Sequence, residues 1–177
     1  VINTGTPSHK VRDGVIFTSL LRSPTDSWCL NEPEYYDCPD FDGARDAGRH
    51  EFHYSLIPHQ GDWRSANIER RGREVNSGLT IRLPDCGAGT RFGLTHSFLS
   101  LDAPPNVIVT AIKKAERDDS VIVRLAETTG TSAEASVRVG GAGSGAELVN
   151  FLERHARPVV GKVVLGPFKI VTVKLSR

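Results

Sequence analysis

The chain has 177 residues, and its 22 Lys and Arg against 21 Asp and Glu leave a formal net charge of +1. A chain of this length buries roughly 70% of its unfolded surface, so it can form one domain or two small ones without a disulfide or a metal. The near-balance of charge argues against binding to nucleic acid or to a membrane surface through bulk electrostatics.

The composition also bears on the origin and location of the chain. The first residue is Val1, and the sequence contains no methionine. Because a gene product that begins at its own start codon carries Met there, we expect this chain to be part of a longer one. The sequence has no signal-peptide pattern and no apolar run of about 18 residues, the length that marks a membrane-spanning helix. These features predict a cytoplasmic protein.

Most of the chain shows the period-two alternation of apolar and polar residues that is typical of β-strands. In chain order, the pattern predicts strands at residues 15–21, 50–59, 79–83, 107–112, 121–125, 135–139 and 168–175. Residues 66–75 carry a helical pattern that Gly72 weakens, and residues 146–155 fit either a strand or a short helix. Many short strands, separated by clusters of Gly, Pro and Asp, predict an all-β sandwich.

The clearest domain boundary is the segment Asp102-Ala103-Pro104-Pro105. Two consecutive prolines donate no hydrogen bonds to a sheet and hold the chain extended, as a connector requires. Residues 1–102 and 106–177 are therefore predicted as separate domains, the second with the size of a small immunoglobulin-like sandwich. Residues 25–49 form a long polar loop, which favours a position at a surface or an interface.

Several motifs of known chemistry occur only in incomplete form. The glycine-rich run at 140–145 lacks the spacing of a phosphate-binding loop, so a flexible hairpin loop is the better interpretation. The acidic run at 37–43 lacks ligands at two positions of a calcium-binding EF-hand loop, which favours a solvated loop. Cys29, Cys38 and Cys86 do not have metal-ligand spacing; Cys29 and Cys38 could pair in an oxidising compartment, and the spacing leaves this open.

His53, His59 and Trp63 are the candidates for sugar contact or for a domain interface. On one strand, the two histidines would stand about 20 Å apart at roughly 3.3 Å per residue, too far to share a zinc ion unless the chain turns at Pro58. Histidines that hydrogen-bond to loop backbone at a domain junction are the alternative. Trp63 follows Gly-Asp in a turn, where an aromatic ring stacks on a sugar or anchors the packing. No nucleophile elbow occurs and no pair of carboxylates stands out, so we assign no catalytic and no metal-binding residue.

Several blocks of sequence follow one another in an order that is specific to one enzyme family. The most specific block is GRHEFHYSLIPH at residues 48–59, which GDW follows at 61–63. Further blocks in the family's order are residues 2–5, 20–24, 97–101, 106–116, 124–127, 150–153 and 165–170. Together they resemble glycoside hydrolase family 38, the α-mannosidases, over essentially the whole chain, and its cytosolic and bacterial branch most closely. The chain departs from the family at 25–49, which is longer than the usual connector, and by an insertion between residues 83 and 95.

The resemblance implies that the chain is the C-terminal portion of a retaining exo-α-mannosidase. Residues 1–102 would be the end of a large, supersandwich-type β-sandwich, and residues 106–177 a small terminal sandwich. In this family the zinc ion, the Asp nucleophile and the acid/base carboxylate belong to the catalytic region, which none of the matched blocks carries. The implied task is structural support of the catalytic domain and its glycan cleft, with the N-terminal catalytic region as partner and no activity alone.

Two alternatives to a support role stay open. A free-standing carbohydrate-binding sandwich would need an exposed aromatic platform, and the chain has only two tryptophans. A purely structural or interaction sandwich would bind no sugar. Mannose-containing glycans and a second copy of the chain are further candidate partners, whereas nucleic acid and membranes are not. If a parent protein normally covers this portion, we expect an exposed strand edge and an exposed apolar patch.

Overall fold

The structure is a computed structural model that describes residues 1–6, 8–23, 46–82, 93, 95–140 and 145–176. The three cysteines, the acidic run at 37–43 and most of the long loop predicted at 25–49 lie outside the described residues. The chain divides into two compact units, Val1–Pro58 and His59–Arg177. The division into sandwich domains at residues 102–106 stays a prediction.

The first unit is built from short antiparallel strand pairs. Its strands are β1 (Ile2–Asn3), β2 (His9–Arg12), β3 (Val15–Thr18) and β4 (Tyr54–Ser55). β1 pairs with β4 and β2 pairs with β3. The turn of the β2–β3 hairpin is Asp13-Gly14, with φ of 51° and 75°. This is the left-handed backbone of a two-residue hairpin turn, for which Asp-Gly is a preferred sequence.

The strand predicted at 50–59 is mostly wrong. Only Tyr54 and Ser55 lie in a strand, and Leu56 is 75% exposed. The alternation of these residues predicts a strand only where one face packs against a neighbour, and Leu56 has no such cover. The predicted strand at 15–21 forms but ends at Thr18.

The second unit begins with a turn and a short surface helix. Helix α1 (Ile68–Asn76) confirms the helix predicted at 66–75, and none of its residues is buried. Glu69 pairs with Arg73 at 3.1 Å and Arg70 with Glu74 at 3.3 Å, the spacing that places side chains on one helix face. The strand predicted at 79–83 is wrong over its described part, since residues 79–82 lie in no strand.

The rest of the second unit is an antiparallel β-sandwich. Its strands are β5 (Leu99–Asp102), β6 (Val107–Lys114), β7 (Val121–Glu127), β8 (Ala133–Val139), β9 (Ala146–Val149), β10 (Arg157–Pro158), β11 (Val163–Leu165) and β12 (Ile170–Leu175). One sheet has the order β10-β9-β12-β7-β6 and the facing sheet has the order β11-β8-β5. The predicted all-β sandwich is confirmed. The ambiguous segment 146–155 forms β9 and then a loop.

Alternating apolar residues from both sheets form the core of the sandwich. Val123 and Leu125 of β7 and Val173 of β12 are fully buried in the larger sheet. Ala135 of β8 and Leu165 of β11 face them from the smaller sheet and are also fully buried. Because successive side chains of a strand point to opposite faces, Ile122 of β7 lies on the outer face of the larger sheet, where it is fully buried in a second, smaller apolar cluster with Ala115 and Val149.

In the described part of the chain, no helix combines the length and the apolar character that crossing a membrane requires.

Candidate functional site

The three predicted site residues fall in different parts of the chain. His53 lies in the first unit beside β4, whereas His59 and Trp63 lie at the start of the second unit. All three side chains are exposed, Trp63 to 41%. Across the described ranges, no group of three or more His, Cys, Asp or Glu side chains is placed to hold a metal ion. In the structure, the ring of Trp63 contacts the guanidinium of the next residue, Arg64, which the sequence did not single out.

The turn before helix α1 is organised by Asp62. Its carboxylate accepts the backbone N–H of Ser65 at 3.0 Å and of Arg64 at 3.1 Å, and it also contacts the Arg64 guanidinium at 3.1 Å. The Ser65 hydroxyl donates to the carbonyl of Asp62 at 2.9 Å. The hydrogen bonds to the Asp62 carboxylate lower its pKa, and the bond from the backbone N–H of Ser65 has the largest effect. The turn is therefore a closed, internally bonded unit.

Arg64 joins this turn to the sandwich. Its guanidinium lies 4.4 Å from the centroid of the Trp63 ring and pairs with Asp62. Its Nε donates to the carbonyl of Thr129, in the loop between β7 and β8, at 3.0 Å. A planar guanidinium can stack on a ring and donate in its own plane at the same time. Arg64 is thus held by an aromatic ring, a carboxylate and a carbonyl.

The loop that receives Arg64 is itself held by a buried carboxylate, Glu127, which is 3% exposed. One carboxylate oxygen accepts a hydrogen bond from the side-chain amide of Asn106 at 2.7 Å. The same oxygen accepts hydrogen bonds from the backbone N–H of Thr129 at 2.8 Å and from the Thr129 hydroxyl at 2.7 Å. The other oxygen accepts the backbone N–H of Gly130 at 2.8 Å and of Phe168 at 2.9 Å. Burial raises the pKa of Glu127, but the hydrogen bonds from Phe168, Thr129 and Asn106 outweigh it, so the pKa is lowered.

A cavity of about 390 Å³ lies between the Asp62 turn and the end of the sandwich that carries Asn106 and Thr129. Its lining includes Arg64, Asn106, Thr129 and Thr131. The amide of Asn106 also donates to the hydroxyl of Thr131 at 3.0 Å. We call this space the Arg64 cavity. Guanidinium, amide and hydroxyl groups make it a place for a small polar molecule.

A second polar cluster covers the outer face of the five-stranded sheet. The loop after β9 folds back on this face, because the Asn150 side chain accepts the backbone N–H of Arg154 at 2.8 Å. Glu153, with a side chain 6% exposed, pairs there with Lys113 at 2.9 Å, and Phe151 lies 4.1 Å from the Arg124 guanidinium. Each of these charges has a partner, so the cluster fastens the loop to the sheet.

The first unit presents an exposed apolar surface on its β2–β3 hairpin. Val11 is 71% exposed, and Val15, Ile16 and Phe17 are each at least half exposed. Val11 and Ile16 are direct partners across the hairpin. Val11 and Ile16 lie on one face of the hairpin, and Val15 and Phe17 lie on the other, because successive residues of a strand point to opposite faces. We call these four residues, on both faces together, the hairpin surface. A two-stranded hairpin is at best marginally stable by itself, and an uncovered apolar surface of this kind marks a contact site. Exposed apolar side chains are thus present in the first unit, whereas the expected contiguous apolar patch and exposed strand edge stay predictions.

Arg64 and Glu127 are the two organising residues that sequence reasoning missed. Arg64 follows the GDW block directly, and Glu127 ends one of the blocks that resemble the family. No pattern connects them, because Arg64 and Thr129 are 65 positions apart in the chain. Only the fold shows that they belong to one assembly.

Comparison with known proteins agrees with this architecture. Residues 106–173 match the family described as "Glycosyl hydrolases family 38 C-terminal beta sandwich domain". The chain is 32% identical over 117 residues to alpha-mannosidase G of Dictyostelium discoideum, which covers 66% of this chain and 9% of that protein. It is 33% identical over 124 residues to mouse alpha-mannosidase 2C1, and this match covers 68% of this chain and 10% of the mouse protein. It is also 27% identical over 176 residues to human alpha-mannosidase 2C1, and this match covers 93% of this chain and 15% of the human protein.

The chain thus spans between 9% and 15% of the length of the curated relatives it matches. The family match covers β6 to β12 almost completely, which is the sandwich itself without its first strand. Residues 106–173 are therefore a domain of the glycosyl hydrolase family 38 C-terminal β-sandwich type, and the chain is similar to the C-terminal region of α-mannosidases.

Proposed function

We propose that this chain is the C-terminal support portion of a retaining exo-α-mannosidase of the cytosolic and bacterial branch, with no activity of its own. The names of the three relatives support the enzyme class. The remaining length of those relatives leaves room for a separate catalytic region. As the family resemblance implies, a zinc ion would supply Lewis-acid chemistry in that region.

The observation that carries the support role is the hairpin surface. Its four apolar side chains belong to a unit in which Ile2 and Thr6 are the only buried residues among those described. Covering apolar surface stabilises a contact by about 25 cal/mol per Å² removed from water. We assign the N-terminal catalytic region of the parent enzyme as the partner that covers the hairpin surface. A sandwich held in this way fixes the rim of the glycan cleft without contributing a reacting group.

A chimeric enzyme tests this role. In it, the present chain replaces the matching C-terminal region of the Dictyostelium discoideum relative, and turnover of an aryl α-mannoside is measured. We expect the chimera to turn over and the isolated chain to be inactive. Changing Ile16→Ser and Phe17→Ser together should lower the activity or the yield of folded chimera at least tenfold.

The matched control for the hairpin variant is Val75→Ser with Val164→Ser. These two side chains are 50% and 64% exposed, which is close to the exposure of Ile16 and Phe17, and they lie on separate elements, α1 and β11. The control should leave the chimera active, because single exposed apolar side chains are normal on a protein surface and do not mark a contact site. Equal loss in both variants, or turnover by the isolated chain, contradicts the proposal.

A second candidate function, carbohydrate binding by a free-standing module, is favoured by one observation, the polar Arg64 cavity beside Trp63. In a free-standing module, sugar binding at this site would be the main function. In a support portion, the same site would only assist an enzyme whose catalytic residues lie elsewhere. The chimera separates the two, because a free-standing module has no reason to restore turnover.

A further inference from the structure

We propose that the Arg64 cavity is a binding site for one neutral hexose, an α-mannosyl residue of the glycan that the parent enzyme processes. The identification of the sugar as mannose rests on the proposed function, whereas the preference for a neutral polyol rests on the cavity itself. The cavity has a volume of about 390 Å³ and is largely open to solvent, so it would contact one face of a single sugar ring and would not enclose a larger ligand.

The lining of the cavity offers both donors and acceptors. Arg64 carries five N–H donors, of which those on Nε and Nη1 contact Thr129 and Asp62. Thr131 contributes a hydroxyl, and Asn106 contributes its amide oxygen as an acceptor, since its NH2 group already donates to Glu127, Thr129 and Thr131. A sugar hydroxyl is itself a donor and an acceptor, so a polyol can match such a mixed set where an apolar ligand cannot.

The charges around the cavity favour a neutral ligand over a phosphate. The positive charge of Arg64 is already paired with the carboxylate of Asp62 at 3.1 Å. A second carboxylate, Glu127, lies directly behind Asn106 at 2.7 Å. A phosphate or another anion would meet one compensated cation and two negative groups, whereas tight anion sites use uncompensated Arg or Lys.

The polar groups of the cavity are held in place before any ligand binds. Asn106 donates to Glu127, to Thr129 at 3.2 Å and to Thr131 at 3.0 Å. The Trp63 ring stacks on the Arg64 guanidinium that lines the cavity. In this site Trp63 positions Arg64, and direct contact between the Trp63 ring and a sugar stays a prediction. Groups that are ordered in advance lose little entropy on binding, which favours affinity.

The test titrates the full 177-residue chain with methyl α-mannoside, at a protein concentration at which light scattering shows a monomer, and follows the amide and side-chain NMR shifts. Saturable shifts at Asn106, Thr131 and the Arg64 Nε–H are expected, with a Kd of about 1 mM. Thr131→Val, which removes one hydroxyl from an exposed position, should raise the Kd at least fivefold. Arg64→Ala should raise it more, and thermal unfolding verifies that this variant is folded.

Thr80→Val and Arg70→Ala are the matched controls, at exposed positions outside the cavity. They should bind methyl α-mannoside as the unchanged chain does. An absence of saturable shifts, or equal affinities in Thr131→Val and Thr80→Val, overturns the hexose site. Inorganic phosphate is titrated in parallel, and binding of phosphate in place of the mannoside also overturns it.

These outcomes are separate from those of the support role. A chimera that turns over although the chain binds no mannoside overturns the hexose site alone. A chain that binds the mannoside at this cavity, while the chimera stays inactive, supports the site and contradicts the proposed function.

Discussion

The carboxylate of Glu127, at the end of β7, accepts the backbone N–H of Phe168, in the turn before β12, at 2.9 Å. The same carboxylate holds Asn106 at the start of β6 and the Thr129-Gly130 loop. One buried side chain therefore ties together three segments at one end of the sandwich. This end also carries the Arg64 cavity, so the stability of the fold and the shape of the cavity depend on the same residue.

Replacing Glu127 with Gln should destabilise the sandwich by about 2–4 kcal/mol, because an amide leaves some of the buried donors without an acceptor. Urea unfolding followed by circular dichroism measures this loss. Glu134→Gln is the control, since the Glu134 side chain is 62% exposed and its contact with Lys162 is 3.9 Å long. A loss below about 0.5 kcal/mol in Glu127→Gln would contradict the structural role of this carboxylate.

The pH dependence of stability should differ between the unchanged chain and Glu127→Gln. Because the pKa of Glu127 is lowered by folding from an ordinary value of 4.5, its stabilisation is complete above that value and is lost as the pH falls below it. The unchanged chain should therefore lose stability more steeply than Glu127→Gln below about pH 4.5. Asp62 and Glu153 also have lowered pKa values but titrate in both proteins. Parallel curves would contradict the lowered pKa of Glu127.

Two glycine-to-alanine changes should shift the stability in opposite directions. At Gly61, φ is +75° and an added Cβ would lie 2.7 Å from the Ser65 hydroxyl, so Gly61→Ala should cost about 1–2 kcal/mol. At Gly72, inside helix α1, an added Cβ meets nothing within 4 Å, so Gly72→Ala should stabilise the chain by about 0.5–1 kcal/mol. Thermal unfolding measures both. A stabilising effect of Gly61→Ala would contradict the closed turn around Asp62, whereas a destabilising effect of Gly72→Ala would contradict only the open space around Gly72.

The isolated chain should self-associate through the hairpin surface at high protein concentration. Apolar side chains that a partner normally covers will otherwise cover one another. Light scattering should show oligomers or aggregates for the unchanged chain and for the control Val75→Ser with Val164→Ser, and a shift towards monomer for Ile16→Ser with Phe17→Ser. A monomer for the unchanged chain would count against the uncovered hairpin as an interface.

The sandwich could be predicted from the sequence because its strands face another sheet. On β12, Val173 and Leu175 alternate with Thr172 and Lys174 and pack against the facing sheet, and the period-two pattern reports that condition. Leu79 and Ile81 alternate in the same way, but they meet no facing surface and lie in no strand. The period-two pattern shows that a segment could form a strand, but it does not show whether another sheet is there for the apolar face to pack against.

The site at Arg64 could not be predicted because its members are distant in sequence. The contact of Arg64 with Thr129 and the convergence of three segments on Glu127 follow from the sandwich topology. The sequence pointed correctly to the neighbourhood, since Trp63 is part of the assembly. The role it suggested for Trp63 stays a prediction, as does that of His53 and His59, and the stacking on Arg64 favours positioning over sugar contact.

The most direct test of the support role compares three proteins in one assay of aryl α-mannoside turnover. They are the isolated chain, the Dictyostelium discoideum relative without its matching C-terminal region, and the chimera of the two. The account predicts turnover by the chimera and none by either part alone. Turnover by the isolated chain, or full activity of the relative without this region, would contradict it.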